Sequence, residues 1–167
     1  MTKKLICIFI GLCMALVLTQ CSPGDVEKES DKIITDLTTN AARKKEAVEL
    51  SMAEARFKTY TAENISKGAA ASTVTFDNQS GEDALVKLIR SDDETLWLPI
   101  RMADQAQSSI SVVAGRYYTK VRYGAIGNYR YIKGTPFDSA AGVKTTITVQ
   151  KVSTENYPAT TISAEEF

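Results

Sequence analysis

The chain changes character at Ser72, and that change sets its architecture. From Glu27 to Ile65 it contains no glycine and no proline, and alanine, glutamate, lysine and arginine dominate. Such a composition favours helix on propensity alone, because these side chains lose little rotamer freedom there. From Ser72 onward threonine, valine, isoleucine and tyrosine take over, interrupted by turn residues: Asn78-Gln79-Ser80-Gly81, Ser91-Asp92-Asp93-Glu94, Ala114-Gly115 and Gly124-Ala125-Ile126-Gly127-Asn128. Strand candidates lie between these breaks, over residues 73–78, 84–90, 95–102, 108–113, 116–123, 129–133 and 145–152. Short strands at spacings of about 8–12 residues predict a β-sandwich or small barrel. The expectation is a mainly β protein: an antiparallel β-sandwich of about seven sequentially paired strands over residues 72–167, preceded by an N-terminal helical stalk over residues 27–67.

The stalk's apolar positions are sparse: Ile33, Ile34, Leu37, Ala41, Val48, Met52, Ala55 and Tyr60. Ile34, Ala41, Val48 and Ala55 recur at heptad spacing, a thin stripe interrupted by Lys44 and Lys45. Two readings follow, a weak self-association seam or a lone solvated helix packed loosely on the domain. Glu54 and Lys58 form a correctly oriented i,i+4 pair. Gly68 predicts the C-terminal stop.

Ahead of the stalk lies a targeting segment. Lys3 and Lys4 precede fourteen uncharged residues, 5–18, reading LICIFIGLCMALVL. A membrane-spanning helix needs about 20 apolar residues, whereas fourteen falls within the range of a signal-peptide apolar region. A buried core helix would show a polar face, and this stretch shows none. Leu18-Thr19-Gln20-Cys21 then resembles a bacterial lipobox, with Gln20 standing where that pattern has Gly, Ala or Ser. The resemblance implies a signal peptide over residues 1–20, lipid attachment at Cys21 and a flexible tether over 21–26. Membrane association through the lipid anchor follows, in the bacterial cell envelope. Ser22 after the cysteine resembles enterobacterial lipoproteins sorted to the outer membrane. Conventional cleavage with release to the periplasm or medium is the alternative. Cys7, Cys13 and Cys21 are the only cysteines, so processing at Cys21 leaves no thiol for a disulfide once that residue is acylated.

Removing residues 1–20 leaves 147 of 167, enough for one domain with a real core. The leader holds two of the 20 basic residues and none of the 20 acidic ones, so the remainder carries 18 against 20, or −2. A near-neutral balance argues against a nucleic-acid partner. There is no histidine, which removes the commonest general base and nearly all zinc sites. No serine has a lysine three residues on, and no phosphate-binding glycine motif occurs. A paired-carboxylate glycosidase remains formally open, but the acids sit mainly in turns, so the expectation is a non-catalytic protein with no cofactor. Asp92-Asp93-Glu94 lacks EF-hand spacing and reads as a solvated turn rather than a calcium site; no metal is expected. Asn64-Ile65-Ser66 and Asn78-Gln79-Ser80 match the glycosylation sequon, a coincidence in a bacterial protein.

Five tyrosines fall between Tyr117 and Tyr131. If 124–128 is a hairpin loop, Tyr123 pairs with Tyr129, Arg122 with Arg130 and Val121 with Tyr131. Alternation then turns Tyr117, Val121, Tyr123, Tyr129 and Tyr131 to the core. Tyr118, Lys120, Arg122 and Arg130 share the other face, where like charges directly opposed call for an anionic partner. Acids from a neighbouring strand would serve, as would a phosphate, an anionic glycan or a partner's acidic loop. Trp97 is out of phase with Leu96, Leu98, Ile100 and Met102, which puts it on an outer face or beneath the stalk helix. Trp97, Tyr118, Lys120, Arg122 and Arg130 are thus the candidate binding surface, for an envelope protein or, alternatively, a glycan.

Three further stretches carry a resemblance. Val74-Thr75-Phe76-Asp77-Asn78 through Asp83-Ala84-Leu85-Val86-Lys87-Leu88, the Gly115-Arg116-Tyr117 corner and the closing Tyr157 to Phe167 stretch, ending Ile162-Ser163-Ala164-Glu165-Glu166-Phe167, resemble a β-sandwich domain of uncharacterised bacterial envelope proteins. The resemblance implies a fold over about residues 72–167 and no activity.

Overall fold

The computed structural model describes residues 23–150 and 159–167. The leader, Cys21 and Ser22 lie outside these residues, as do the last two residues of the expected strand 145–152. Helix α1 (Pro23–Ser66) begins inside the expected tether. Proline suits the first helical turn, where its missing N–H has no intrahelical acceptor to lose. The far end is closed by a Schellman arrangement. The Ala69 N–H donates to the Asn64 carbonyl at 2.9 Å and the Gly68 N–H to that of Ile65 at 3.0 Å, with Gly68 at φ +92°. The expected stop is where the sequence reading put it.

The chain divides into two compact units at Ala47/Val48. In the first, the side chains of Ile34 and Leu37 are exposed, and Thr35 and Thr39 donate back to the carbonyls of Asp31 and Thr35, both at 2.8 Å. In the second, the remainder of α1 buries Leu50, Ala53 and Phe57, and Phe57 joins the core formed with the strands, with Tyr60 and Thr61 continuing the stripe. Val48 and Ala55 of the expected heptad stripe face solvent instead. Phe57 is the reason: this large aromatic takes the core position and sets the helix's rotation, and Ala53 and Leu50 lie one and two turns before it on the same face. This part of α1 is a core element rather than a loosely packed helix.

Nine strands follow among the described residues: β1 (Ala71–Asn78), β2 (Ala84–Arg90), β3 (Asp93–Met102), β4 (Gln107–Val113), β5 (Gly115–Tyr123), β6 (Arg130–Gly134), β7 (Phe137–Ser139), β8 (Lys144–Val149) and β9 (Ala159–Thr161). They form a three-stranded sheet, β4-β1-β8, and a six-stranded sheet, β3-β2-β5-β6-β9 with β7 on β5. The protein is mainly β, in two sheets, with the helix N-terminal to them. Two expectations are corrected. β7 and β9 are additional; three residues are too few to show an alternation pattern. Pairing is also not purely sequential and antiparallel, because β1 lies between β4, antiparallel, and β8, parallel. Turn chemistry pairs only chain neighbours, whereas the connection from β1 to β2 changes sheet, so β1 finds its partners from far along the chain.

The core joins both sheets and the helix: Val74 and Phe76 from β1, Val112 and Val149 from its neighbours, Val86, Leu88, Leu98, Tyr117 and Val121 from the larger sheet, and Phe57 from α1. Two polar side chains tie its edges. The Tyr117 hydroxyl donates to the Val113 carbonyl at 2.7 Å, fastening the Gly115-Arg116-Tyr117 corner. Asn78, fully buried, donates through Nδ2 to the carbonyls of Glu82 and Ala103, each at 2.9 Å. Its amide is therefore committed to holding two loops.

Candidate functional site

The β5–β6 hairpin positions the candidate surface, and its register is one residue from the expected one. Tyr123 pairs with Arg130, Arg122 with Tyr131, Val121 with Ile132 and Lys120 with Lys133. Tyr129 belongs to the connection instead of the ladder. Gly124 and Gly127 adopt positive φ there, and a Cβ on Gly124 would meet the Asn128 carbonyl oxygen at 2.6 Å. A one-residue slip exchanges the faces of a strand. Ile132, not Tyr131, therefore points to the core, and Tyr129 and Tyr131 are only half-buried. Arg130 leaves the candidate set: it forms an ion pair with Glu82 at 2.9 Å, with its guanidinium carbon 5.7 Å from the Tyr123 ring centroid.

Registers across β3, β2, β5 and β6 place the outward residues in three rows. The first runs Arg101, Leu85, Arg122, Tyr131; the second Pro99, Lys87, Lys120, Lys133; the third Trp97, Ile89, Tyr118. Three lysines thus stand directly opposite one another on three adjacent strands, where the sequence reading expected one opposed arginine pair. None of the residues in these rows is acidic. Leu85 and Ile89 are nevertheless only 5% and 4% exposed, so the face has an apolar floor beneath cations whose stems lie over it. Trp97 is half-buried on this face, with the Lys87 Nζ 4.7 Å from its ring centroid. Of the candidate residues, Trp97, Tyr118, Lys120 and Arg122 are brought together and Arg130 is not. Lys87, Arg101 and Lys133 were missed: the alternation of β2 and β3 carried the signal for the first two, and Lys133 depends on the hairpin register.

The closing segment, 162–167, lies on this face. Lys87 Nζ donates to the Phe167 main-chain oxygen at 2.8 Å, and Lys120 Nζ donates to the Glu166 carbonyl. The Phe167 ring lies 4.3 Å from Lys87 Nζ and 5.3 Å from the Tyr131 ring centroid. Lys87 is thus held between two aromatic rings. A turn presents Phe167: the Ser163 N–H donates to the Glu166 carboxylate at 2.9 Å, and the Glu166 N–H to the Ser163 hydroxyl at 3.3 Å. This reciprocal S-x-x-E pairing has the chemistry of a capping box.

No protein-family model matches the chain, and no curated protein matches it. Its function must therefore be read from this geometry.

Beside the first row, an open hollow of about 550 Å³ is lined by Leu85, Arg101, Arg122, Ile126 and Tyr129, among others. The Arg122 guanidinium carbon lies 4.4 Å from the Tyr129 ring centroid, an orientation that leaves a cation–aromatic wall on one side. Tyr118 closes the third row. Burial and its hydrogen bond to the Glu94 carboxylate push its hydroxyl up to about 12, and the Lys133 Nζ stands 4.7 Å from its ring centroid. It stays a neutral phenol through the physiological range.

The acidic turn is employed internally. Asp92 binds the Arg90 guanidinium at 2.5 and 2.9 Å, which lowers its carboxyl below the ordinary aspartate value. Asp93 accepts from the Thr95 N–H and hydroxyl at 3.0 and 2.7 Å. No group of three His, Cys, Asp or Glu residues converges on a metal position among the described residues. The buried Asn78 amide leaves no room for a glycan, and the Asn64 amide donates to the Tyr60 carbonyl at 2.8 Å.

Proposed function

We propose that this chain is a lipid-anchored protein of the bacterial envelope whose β-sandwich binds rather than catalyses, as a protein-binding or scaffold module. The observation that carries the reading is the lysine row Lys87-Lys120-Lys133, flanked by Arg101 and Arg122 and floored by apolar side chains. Like charges directly opposed across strands cost stability, and an anionic partner offsets that cost. Aromatic and arginine side chains over an apolar floor are the usual anchors of protein contact. The anchor rests on the leader and on Cys21, followed by Ser22, which favours the outer membrane.

Two measurements test the reading. Mass spectrometry of the mature N-terminus is expected to find an acylated Cys21; an unmodified N-terminus elsewhere overturns the anchor. Retention of poly-L-glutamate by the mature protein is expected to fall with salt and to drop at least tenfold in Lys120→Glu/Arg122→Glu, about 1.4 kcal/mol; unchanged retention overturns the face. The glycan reading is favoured by one observation, Trp97 on the outer face beside Lys87. A Trp97 fluorescence that responds to polysaccharide but not to acidic polypeptide would replace the protein-binding reading with it.

A further inference from the structure

We propose that the closing segment, 162–167, is a displaceable strap, and that the partner of the basic face is a peptide segment of the same chemistry, acidic and carrying an aromatic side chain. This rests on the reading of the lysine face as the binding surface. The strap already meets part of what that face asks for. Its main-chain oxygens accept from Lys87 and Lys120, and the Phe167 ring takes the place between Lys87 and Tyr131. Its sequence, Ile162-Ser163-Ala164-Glu165-Glu166-Phe167, carries two glutamates onto a surface whose rows hold five cations and no acid.

The strap is also lightly held. Ser163, Ala164, Glu165 and Glu166 are exposed, and only Ile162 and Phe167 are partly covered. Among the described residues its ladder connection is β9, three residues long, on the edge of the sheet beside β6. Six residues fastened at one ring, two main-chain oxygens and the Ile162 N–H, which donates to the Tyr131 carbonyl at 3.1 Å, form an element of low local stability, of the kind that opens without global unfolding. A competing segment of similar chemistry therefore needs only to replace Phe167, the two main-chain oxygens and the Ile162 N–H. Closure lowers its apparent affinity by the fraction of molecules that are open.

Trp97 is the only tryptophan and shares Lys87 with Phe167, so its fluorescence reports on strap opening. The test measures binding of an acetylated hexapeptide with the sequence of residues 162–167 to the mature full-length protein and to Phe167→Ala. The expected result is at least tenfold tighter binding by Phe167→Ala, with a Trp97 emission change, and loss of that binding when the peptide's phenylalanine is replaced by alanine. Equal affinity for both proteins, with the variant's fold intact by circular dichroism, overturns the strap. A concentration-dependent dimer of the unmodified protein that Phe167→Ala abolishes overturns it too, in favour of segment exchange between copies. Should Phe167→Ala not fold, hydrogen exchange on the unmodified protein decides: amides of 163–167 exchanging with the core, not ahead of it, sink the proposal. Poly-L-glutamate retention that stays sensitive to Lys120→Glu/Arg122→Glu when the strap test fails leaves the face reading standing; insensitivity in both removes it as well.

Discussion

The six-stranded sheet has two faces made by alternate residues of the same strands, and they follow opposite rules. Inward, Val86, Leu88, Tyr117 and Val121 have essentially no exposure and join one core with β1 and α1. Outward, the same strands set Lys87, Lys120 and Lys133 in a row. Burying a valine or leucine side chain stabilises by about 1.5–3 kcal/mol, while a pair of like charges opposed across strands costs about 0.2–1 kcal/mol. The inner face therefore decides folding by a wide margin, and the outer face can carry a charge arrangement chosen for recognition. A poorly matched surface row is therefore informative when the opposite face is this well packed.

The comparison predicts that inner-face damage and outer-face damage separate experimentally. Phe57→Ala should produce the largest loss, about 3–5 kcal/mol from urea denaturation, because it opens a cavity where helix and sheets meet. Below its unfolding transition the variant should retain poly-L-glutamate as the unmodified protein does. Loss of retention in the folded variant would break the separation of the two faces.

The next effect is set by pH and falls on Tyr118, the outer-face residue that is buried like an inner one. Its folded value near 12 lies above the ordinary tyrosine value of about 10. The folded state thus holds its proton more tightly than the unfolded state. The corresponding stability is fully present below about pH 10 and is lost as pH rises through about 12. Tyr117 and Tyr123 are also raised, mainly by burial, and act in the same direction. Urea midpoints between pH 9 and 12 should fall, and Tyr118→Phe should flatten the decline. An unchanged slope in that variant would place the titration on the inward tyrosines alone.

A smaller loss is expected from Tyr117→Phe. The ring stays in the core, but the bond to the Val113 carbonyl disappears, costing about 1 kcal/mol. The measurement is again the urea midpoint, with ligand retention unaltered. A neutral result would mean that the corner is held by packing, including the Phe137 ring 6.3 Å away, rather than by the hydroxyl.

Much of this was legible in the sequence where a local rule applies. The helix stop at Gly68, the bounds of β2 and the outward placement of Trp97, Tyr118, Lys120 and Arg122 follow from caps, turns and alternation. Other features depend on contacts far apart in the chain. Whether Phe57 or the Ile34–Ala41–Val48 stripe meets the core is decided by what lies across from the helix. The parallel pairing of β1 with β8 has no local turn to announce it. The hairpin register depended on whether Tyr129 closes the loop or opens the strand, and that single residue moved Arg130 off the outer face of the sheet and Tyr131 onto it. The lysine row escaped notice because it is assembled from three strands, each with one lysine in an ordinary alternating pattern.

The smallest effect gives the most selective test of the outer face. Lys133→Glu replaces one end of the row with an attractive partner for Lys120, a gain of about 0.2–1 kcal/mol. The same change removes the cation over the Tyr118 ring, a loss of about 0.5–1 kcal/mol at an exposed position. The two nearly cancel, so the urea midpoint should move little. Lys133→Gln, which relieves repulsion without adding attraction, should be slightly less stable than Lys133→Glu. Poly-L-glutamate retention should fall in both variants, further in the glutamate one. An inner-face residue cannot show that combination, since its replacement by a charge would unfold the protein before altering what it binds. A large loss of stability in Lys133→Glu would mean that the row is stabilised through Tyr118 rather than tolerated, and that the two faces are less independent than their packing indicates.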